Sequence, residues 1–102
     1  MIEKIISSPR KMKRYRAILD NGRYYDFGLD GGATYIDHAD KKLRENYIKR
    51  HMANVTEARL IENLVPSPAL FSRVLLWGPY TTLEENIRHL NGLWAKKKVL
   101  RN

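Results

Sequence analysis

Near its start this chain alternates polar and apolar residues, and toward its end apolar residues recur at helical spacing. From Lys13 to Leu29 two β-prone runs flank Asp20-Asn21-Gly22, and Asn-Gly in that setting marks a hairpin. Its register follows from the two-residue period of strand side chains. A two-residue turn at Asn21-Gly22 would set Arg16 opposite Phe27 and Arg14 opposite Leu29, mixing charged and apolar groups on one face. A three-residue loop, Asp20-Asn21-Gly22 with Gly22 left-handed, instead sets Leu19 against Arg23, Ala17 against Tyr25 and Tyr15 against Phe27. Tyr15, Ala17, Leu19, Tyr25, Phe27 and Leu29 then share one apolar face. Arg14, Arg16, Ile18, Tyr24 and Asp26 take the other, with Arg16 and Asp26 paired in solvent. The three-residue loop separates the faces and is the expected one.

Ile2 to Ser7 is β-prone and can add a third strand, ended by Pro9. Gly28 to Thr34 is a loop. Asp37 and Asp40 compete to cap a helix that runs to about Ala53. Its inward stripe is Leu43, Tyr47, Ile48, His51 and Met52, with Lys42, Arg44, Glu45, Lys49 and Arg50 outside. Thr56 to Leu64 forms a short helix. Ser67-Pro68 caps and opens the next, whose apolar run Ala69–Trp77 is buried and stopped by Gly78-Pro79. Thr82-Leu-Glu-Glu85 is a capping box, and Leu83, Ile87, Leu90 and Trp94 form the stripe of the helix behind it. The expected fold is α+β: an N-terminal antiparallel β-hairpin, extendable to three strands, covered by three to four α-helices. The whole chain, residues 1–102, reads as one small domain with a basic N-terminal arm (about 1–14) and a basic C-terminal tail (about 96–102).

Charge adds the first hint of function. The formal net charge is +8 over 102 residues, and it is uneven. Residues 1–23 carry +5 and residues 96–102 carry +4, while residues 24–95 are close to neutral at −1. Both ends are therefore candidate contact surfaces for phosphate or acidic protein. The candidate partner-binding residues are Arg10, Lys11, Lys13, Arg14 and Arg16 near the start, and Lys96, Lys97, Lys98 and Arg101 near the end. With no cysteine, neither disulfides nor thiolate metal sites are expected. No apolar run is long enough to span a bilayer. The opening Met-Ile-Glu-Lys-Ile-Ile lacks the apolar core of a secretory signal, so synthesis in the cytosol is expected.

Catalytic chemistry finds little foothold. His38, Asp40 and His51 are the only group that tempts a metal assignment, but His51 lies three helical turns beyond Asp40, so capping and packing are expected of them. Ser8, Ser67 and Ser72 lack a histidine at a telling spacing and the glycines of a nucleophile elbow. Gly28 to Gly32 does not match a phosphate-binding loop. Tyr15, Tyr24, Tyr25 and Phe27 beside Arg14, Arg16 and Arg23 would make a stacking platform for single-stranded nucleic acid. If Tyr15, Tyr25 and Phe27 are core, only Tyr24 is left exposed. No enzyme, cofactor, metal or small-molecule substrate is expected.

The residues Ser8-Pro9-Arg10-Lys11, Lys13, Tyr15-Arg16, Asn21-Gly22, Asp26-Phe27-Gly28, Tyr35, His38, Asp40, Arg44, Tyr47-Ile48 and Arg50-His51 form an ordered pattern. Phe71-Ser72-Arg73, Leu75-Leu76-Trp77 and Pro79 continue it. In this pattern the chain resembles a small uncharacterised domain family of the nucleocytoplasmic large DNA viruses, phycodnaviruses among them. The likeness runs from about Ser8 to Ile87 and departs between Met52 and Pro68, where Asn54-Val55-Thr56 lacks the family's tryptophan. It implies no catalytic residues. It implies a viral protein made in the host cytoplasm and carried in the virion, most simply a minor capsid protein cementing larger capsid proteins through its basic surfaces. The alternative is a nucleic-acid-binding protein with little sequence preference. Within the pattern, Tyr35, His38, Arg44 and Arg50 are expected to form a buried polar network.

Overall fold

The computed structural model describes the backbone of residues 1–101 and the side chains of residues 1–97. Strands β1 (Ile2–Ser7), β2 (Lys13–Leu19) and β3 (Tyr24–Leu29) form an antiparallel sheet in the order β1-β2-β3. Helices α1 (Tyr35–His38), α2 (Lys41–Met52), α3 (Val55–Glu62), α4 (Pro68–Phe71) and α5 (Leu83–Arg101) follow, and α4 runs on into a π-helical turn, Ser72–Leu76. The fold is α+β, with the third strand formed and the helical side built from five segments, the first a single turn.

The hairpin takes the three-residue loop. Tyr15 pairs with Phe27, Arg16 with Asp26 and Ala17 with Tyr25, the Leu19 N–H donates to the Arg23 carbonyl at 2.9 Å, and Gly22 has φ +85°. Ala17, Leu19 and Phe27 are buried. Leu29 is a correction: it is 62% exposed. It still pairs in register with Lys13, but it ends β3, past Phe27, the last core residue of that strand. Asp26 is another: it lies buried, taking Arg16 Nε at 2.9 Å, Arg16 Nη2 at 3.1 Å and the Ser8 hydroxyl at 2.7 Å. The turn after β1 folds over this pair and shields it from solvent.

β1 pairs Ile2 with Leu19 and Ile5 with Ala17, with a register shift between Ile2 and Lys4. A spacing of three would place the two isoleucines on opposite faces; the extra residue of the bulge brings both to the core side. Asn91 of α5 then accepts the Ile2 N–H at 2.9 Å and donates to the Ile2 carbonyl at 3.3 Å. The N-terminal segment is therefore an edge strand and turn in place of a free arm.

The core joins Phe27 and Ala17 to Leu70, Phe71, Val74, Leu75, Leu76 and Leu90. Phe71 is the hub, with ring centroids 5.7 Å from Phe27, 5.6 Å from Tyr25 and 6.1 Å from Trp94. Ser67 caps α4 by accepting the Leu70 N–H at 3.2 Å. Asp40 caps α2, accepting from the Lys42 and Leu43 amides, whereas Asp37 closes the α1 turn by accepting the Thr34 N–H. The two aspartates serve different helices. At α5, the Glu85 N–H donates to Thr82 Oγ1 as a capping box requires, but the Glu85 carboxylate takes the threonine hydroxyl.

Asn86 is fully buried and clamps the loop before its own helix. Its Nδ2 donates to the Leu75 carbonyl at 2.9 Å and the Tyr80 carbonyl at 3.0 Å, and its Oδ1 accepts the Tyr80 N–H at 3.0 Å. Gly78 lies against this amide. A Cβ there would sit 1.9 Å from the Val74 carbonyl oxygen and 2.7 Å from Asn86 Oδ1, which no side chain can meet without moving backbone. Gly78→Ala is expected to destabilise the fold by about 2–3 kcal/mol through overpacking. Asn86→Ala should cost a similar amount by orphaning buried carbonyls. Denaturant unfolding of both variants checks this; a loss below ~0.5 kcal/mol for either would mean that the loop is not held as described.

Candidate binding groove

A groove of about 760 Å³ opens on the surface. Its first wall is the turn before β2, with Arg10, Lys11, Met12 and Lys13, and its second is α2, with Tyr47, Arg50 and His51. Gly28, Leu29, Leu76 and Trp77 lie between. A smaller recess of about 360 Å³ shares Lys13, Gly28, Tyr47, His51 and Ser72 and continues it toward Glu57 and Leu60 of α3.

Each wall has an identifiable cause. The basic turn is fixed by the Ser8 N–H donating to the Arg14 carbonyl at 3.1 Å and the Lys13 N–H to the Arg10 carbonyl at 3.2 Å. The Arg10 N–H also donates to Ser8 Oγ at 3.1 Å. Met12 closes the turn at φ +71° and is 64% exposed, a conformation a side chain seldom takes. The α2 wall is held by Arg44, whose Nε donates to the Trp77 carbonyl at 3.1 Å and the Gly78 carbonyl at 2.9 Å. Arg73 adds Nη1 to the Trp77 carbonyl at 3.0 Å. These carbonyls end the π-helical turn, where negative partial charge collects, so two cations suit the place. The expected stripe holds at Tyr47, Ile48, His51 and Met52, which are half-buried, but at its first position Arg44 takes the inward place and Leu43 is 47% exposed.

Three rings line the α2 side as one stack. Trp77 and Tyr47 lie face to face at 4.4 Å with 7° between planes, and His51 covers the other face of Tyr47 at 4.1 Å. The Glu57 carboxylate meets His51 Nδ1 at 2.8 Å and fixes the imidazole. Burial, with the nearby Glu57 charge, pushes the Tyr47 phenol up to about 12. Burial and the neighbouring Arg44 lower the Arg73 pKa.

The structure divides the expected contact residues. Arg10, Lys11 and Lys13 line the groove. Arg14 is committed elsewhere, giving Asp37 two hydrogen bonds of 2.7 Å. Arg16 is held by Asp26 and stacks 3.9 Å over the Tyr24 ring. Lys96 and Lys97 belong to α5, where Lys97 Nζ donates to the Asn63 carbonyl; the side chains of Lys98 and Arg101 lie outside the described residues. Arg50 was expected in a buried network but is exposed on the groove wall. Of that network, Arg44 lies 5.5 Å over the Tyr35 ring and His38 packs on Trp77 at 5.4 Å. His38 Nδ1 accepts the Asp40 N–H at 2.9 Å while His51 pairs with Glu57, so the two histidines and Asp40 do not share one place. Tyr15 and Phe27 pack together at 5.9 Å on the core side, which removes them from any stacking platform.

Arg50 and the ring stack were missed because their meeting depends on how α2 crosses the turn of residues 8–12, and no local pattern encodes that crossing. Among the described residues none of Arg10, Lys11, Lys13 and Arg50 has an acidic partner within ion-pair distance, and no helix is long and apolar enough to cross a membrane.

Comparison with known proteins gives one likeness. A family described as "Family of unknown function (DUF5754)" matches residues 3–51, just under half of the chain. The match spans the sheet, α1 and nearly all of α2, and so both walls of the groove. No curated protein matches the chain. No solved structure matches it either.

The Arg14 guanidinium holds the Asp37 carboxyl well below the usual carboxylate range, with Thr34 adding to the effect against the cost of partial burial. Arg16, and less so Ser8, lower Asp26. Both groups are depressed on folding, so their stabilisation is fully present above the unfolded value of about 3.9 and is lost as pH falls toward the folded pKa. Asp37→Asn is expected to lower stability by about 1 kcal/mol at pH 7, a figure held down by solvent screening. The gap from the parent should narrow as pH falls below about 3.9, where the unfolded chain takes up the proton that the folded Asp37 still refuses. Melting temperatures of both proteins from pH 7 to pH 2 check it; a gap that stays constant with pH would rule out the pairing.

Proposed function

We propose that this chain is a structural protein of a virus particle, a minor capsid component that joins larger capsid proteins through basic surfaces. The observation that carries this reading is the groove itself, where Arg10, Lys11 and Lys13 on one wall and Arg50 on the other make no salt bridge among the described residues. Unpaired cations facing one another repel, and an acidic neighbour relieves that repulsion while fixing register. The viral setting comes from the sequence resemblance. The protein would be made in the host cytoplasm and held in the virion, its partners major or minor capsid proteins, with no catalytic step required of it.

Nucleic acid is the competing occupant of the same charge. Two observations weigh against it. Tyr47 is covered on one face by Trp77 and on the other by His51, and Arg16 lies over one face of the Tyr24 ring, so fewer ring faces are open than single-strand binders use.

Mass spectrometry of separated shell and core fractions of purified particles tests the reading. The chain is expected with genome-free shells, and its affinity for mixed DNA should be weak. Recovery with the genome, together with a steep fall of log affinity against log salt, would overturn it in favour of nucleic acid.

A further inference from the structure

We propose that the groove seats an acidic peptide segment of a partner protein, one that carries a single bulky apolar side chain between its carboxylates. The inference rests on the structural reading above and names the chemistry of the neighbour. Three features of the groove specify that chemistry together. Its walls are cationic on both sides, Lys13 and its neighbours facing Arg50 across the gap. Its floor is apolar, with Leu76 and the Trp77 ring. Its rim holds Met12 and Leu29, 64% and 62% exposed. Two large apolar side chains left in water beside unpaired cations match an occupant that brings apolar surface and negative charge at once.

The size agrees. A cleft of about 760 Å³ falls in the range that encloses a small ligand, enough for one aromatic or branched side chain with short stretches of backbone on each side. Met12 suits the rim because its unbranched thioether repacks around different shapes. Glu57 helps exclude phosphate: it stands where the groove continues into the smaller recess, paired with His51, and would repel a doubly charged group pushed that way. A peptide carboxylate kept at the outer walls avoids it. The ring stack points the same way, since its middle ring, Tyr47, is covered on both faces and offers none to a base.

Fluorescence polarisation with labelled ten-residue peptides tests this on the full chain. The probes are a Glu/Asp peptide with one central Phe, the same peptide with Ser in place of Phe, a Lys peptide with the same Phe, and a twenty-residue oligothymidylate. The acidic Phe peptide is expected to bind, its Ser counterpart roughly tenfold or more weakly, and the Lys peptide not at all. Lys13→Glu combined with Arg50→Glu should abolish binding with melting temperature unchanged, and Lys96→Glu should leave it intact. Should the double variant fold poorly, Leu29→Ser at the exposed rim is expected to weaken the Phe peptide while sparing the Ser peptide.

Equal binding of the Phe and Ser peptides would overturn the proposal, since charge alone would then suffice. So would tighter, competing binding of the oligothymidylate, or failure of every acidic peptide to bind. Concentration-dependent dimers broken by Arg50→Glu would assign the groove to a second copy and equally sink it. The two readings fail separately: absence from shells with peptide binding intact removes the particle setting alone, and presence in shells without peptide binding removes the groove assignment alone.

Discussion

The backbone carbonyls of Trp77 and Gly78 are the point on which the helical side depends. A chain that leaves a buried π-helical turn must find donors for the carbonyls it exposes. Here Arg44 from α2 and Arg73 from the turn supply them at Trp77 and Gly78, and Asn86 from α5 supplies them at Leu75 and Tyr80. Three elements are thereby fixed around one bend. Because Arg44 reaches inward, α2 comes to lie with Tyr47 on Trp77, and the groove exists because α2 lies there. The requirement that buried polar backbone be satisfied thus shapes the binding surface as much as apolar burial does.

Most of the sheet was legible in the sequence, and the reason is local. A period of two, one Asn-Gly and the demand for one apolar face leave a single sensible register, and the structure adopts it. Helix starts were legible where a short polar side chain precedes the apolar run, as at Asp40, Ser67 and Thr82. What could not be read was where local pattern yields to distant partners. Leu29 left the core because it ends its strand, past the last core position at Phe27. Leu43 left it because a guanidinium had a better use for the inward position. Asp26 lost its exposure on the opposite face because Ser8 and Arg16 arrived from two other segments.

The candidate site divides along the same line. Charge density at Arg10, Lys11 and Lys13 was visible in composition, and these residues do line the groove. Arg14 and Arg16 belonged to the same cluster and have carboxylate partners that only the fold reveals, Asp37 across the loop and Asp26 across the strand. Arg50 on the opposite wall carried no distinguishing mark in a helix with five other charged side chains. A charge run in sequence therefore overstated the surface at one end and missed its counterpart at the other.

The two sides of the groove are not equally anchored. The turn of residues 8–12 is stitched to the sheet, whereas α2 and α3 bury no residue fully. Segments so lightly tied open at a fraction of the global unfolding free energy. Amide exchange is expected to be faster in these two helices than in the sheet. A jaw with one stiff half and one yielding half can widen or narrow around its load while the sheet beneath keeps its shape.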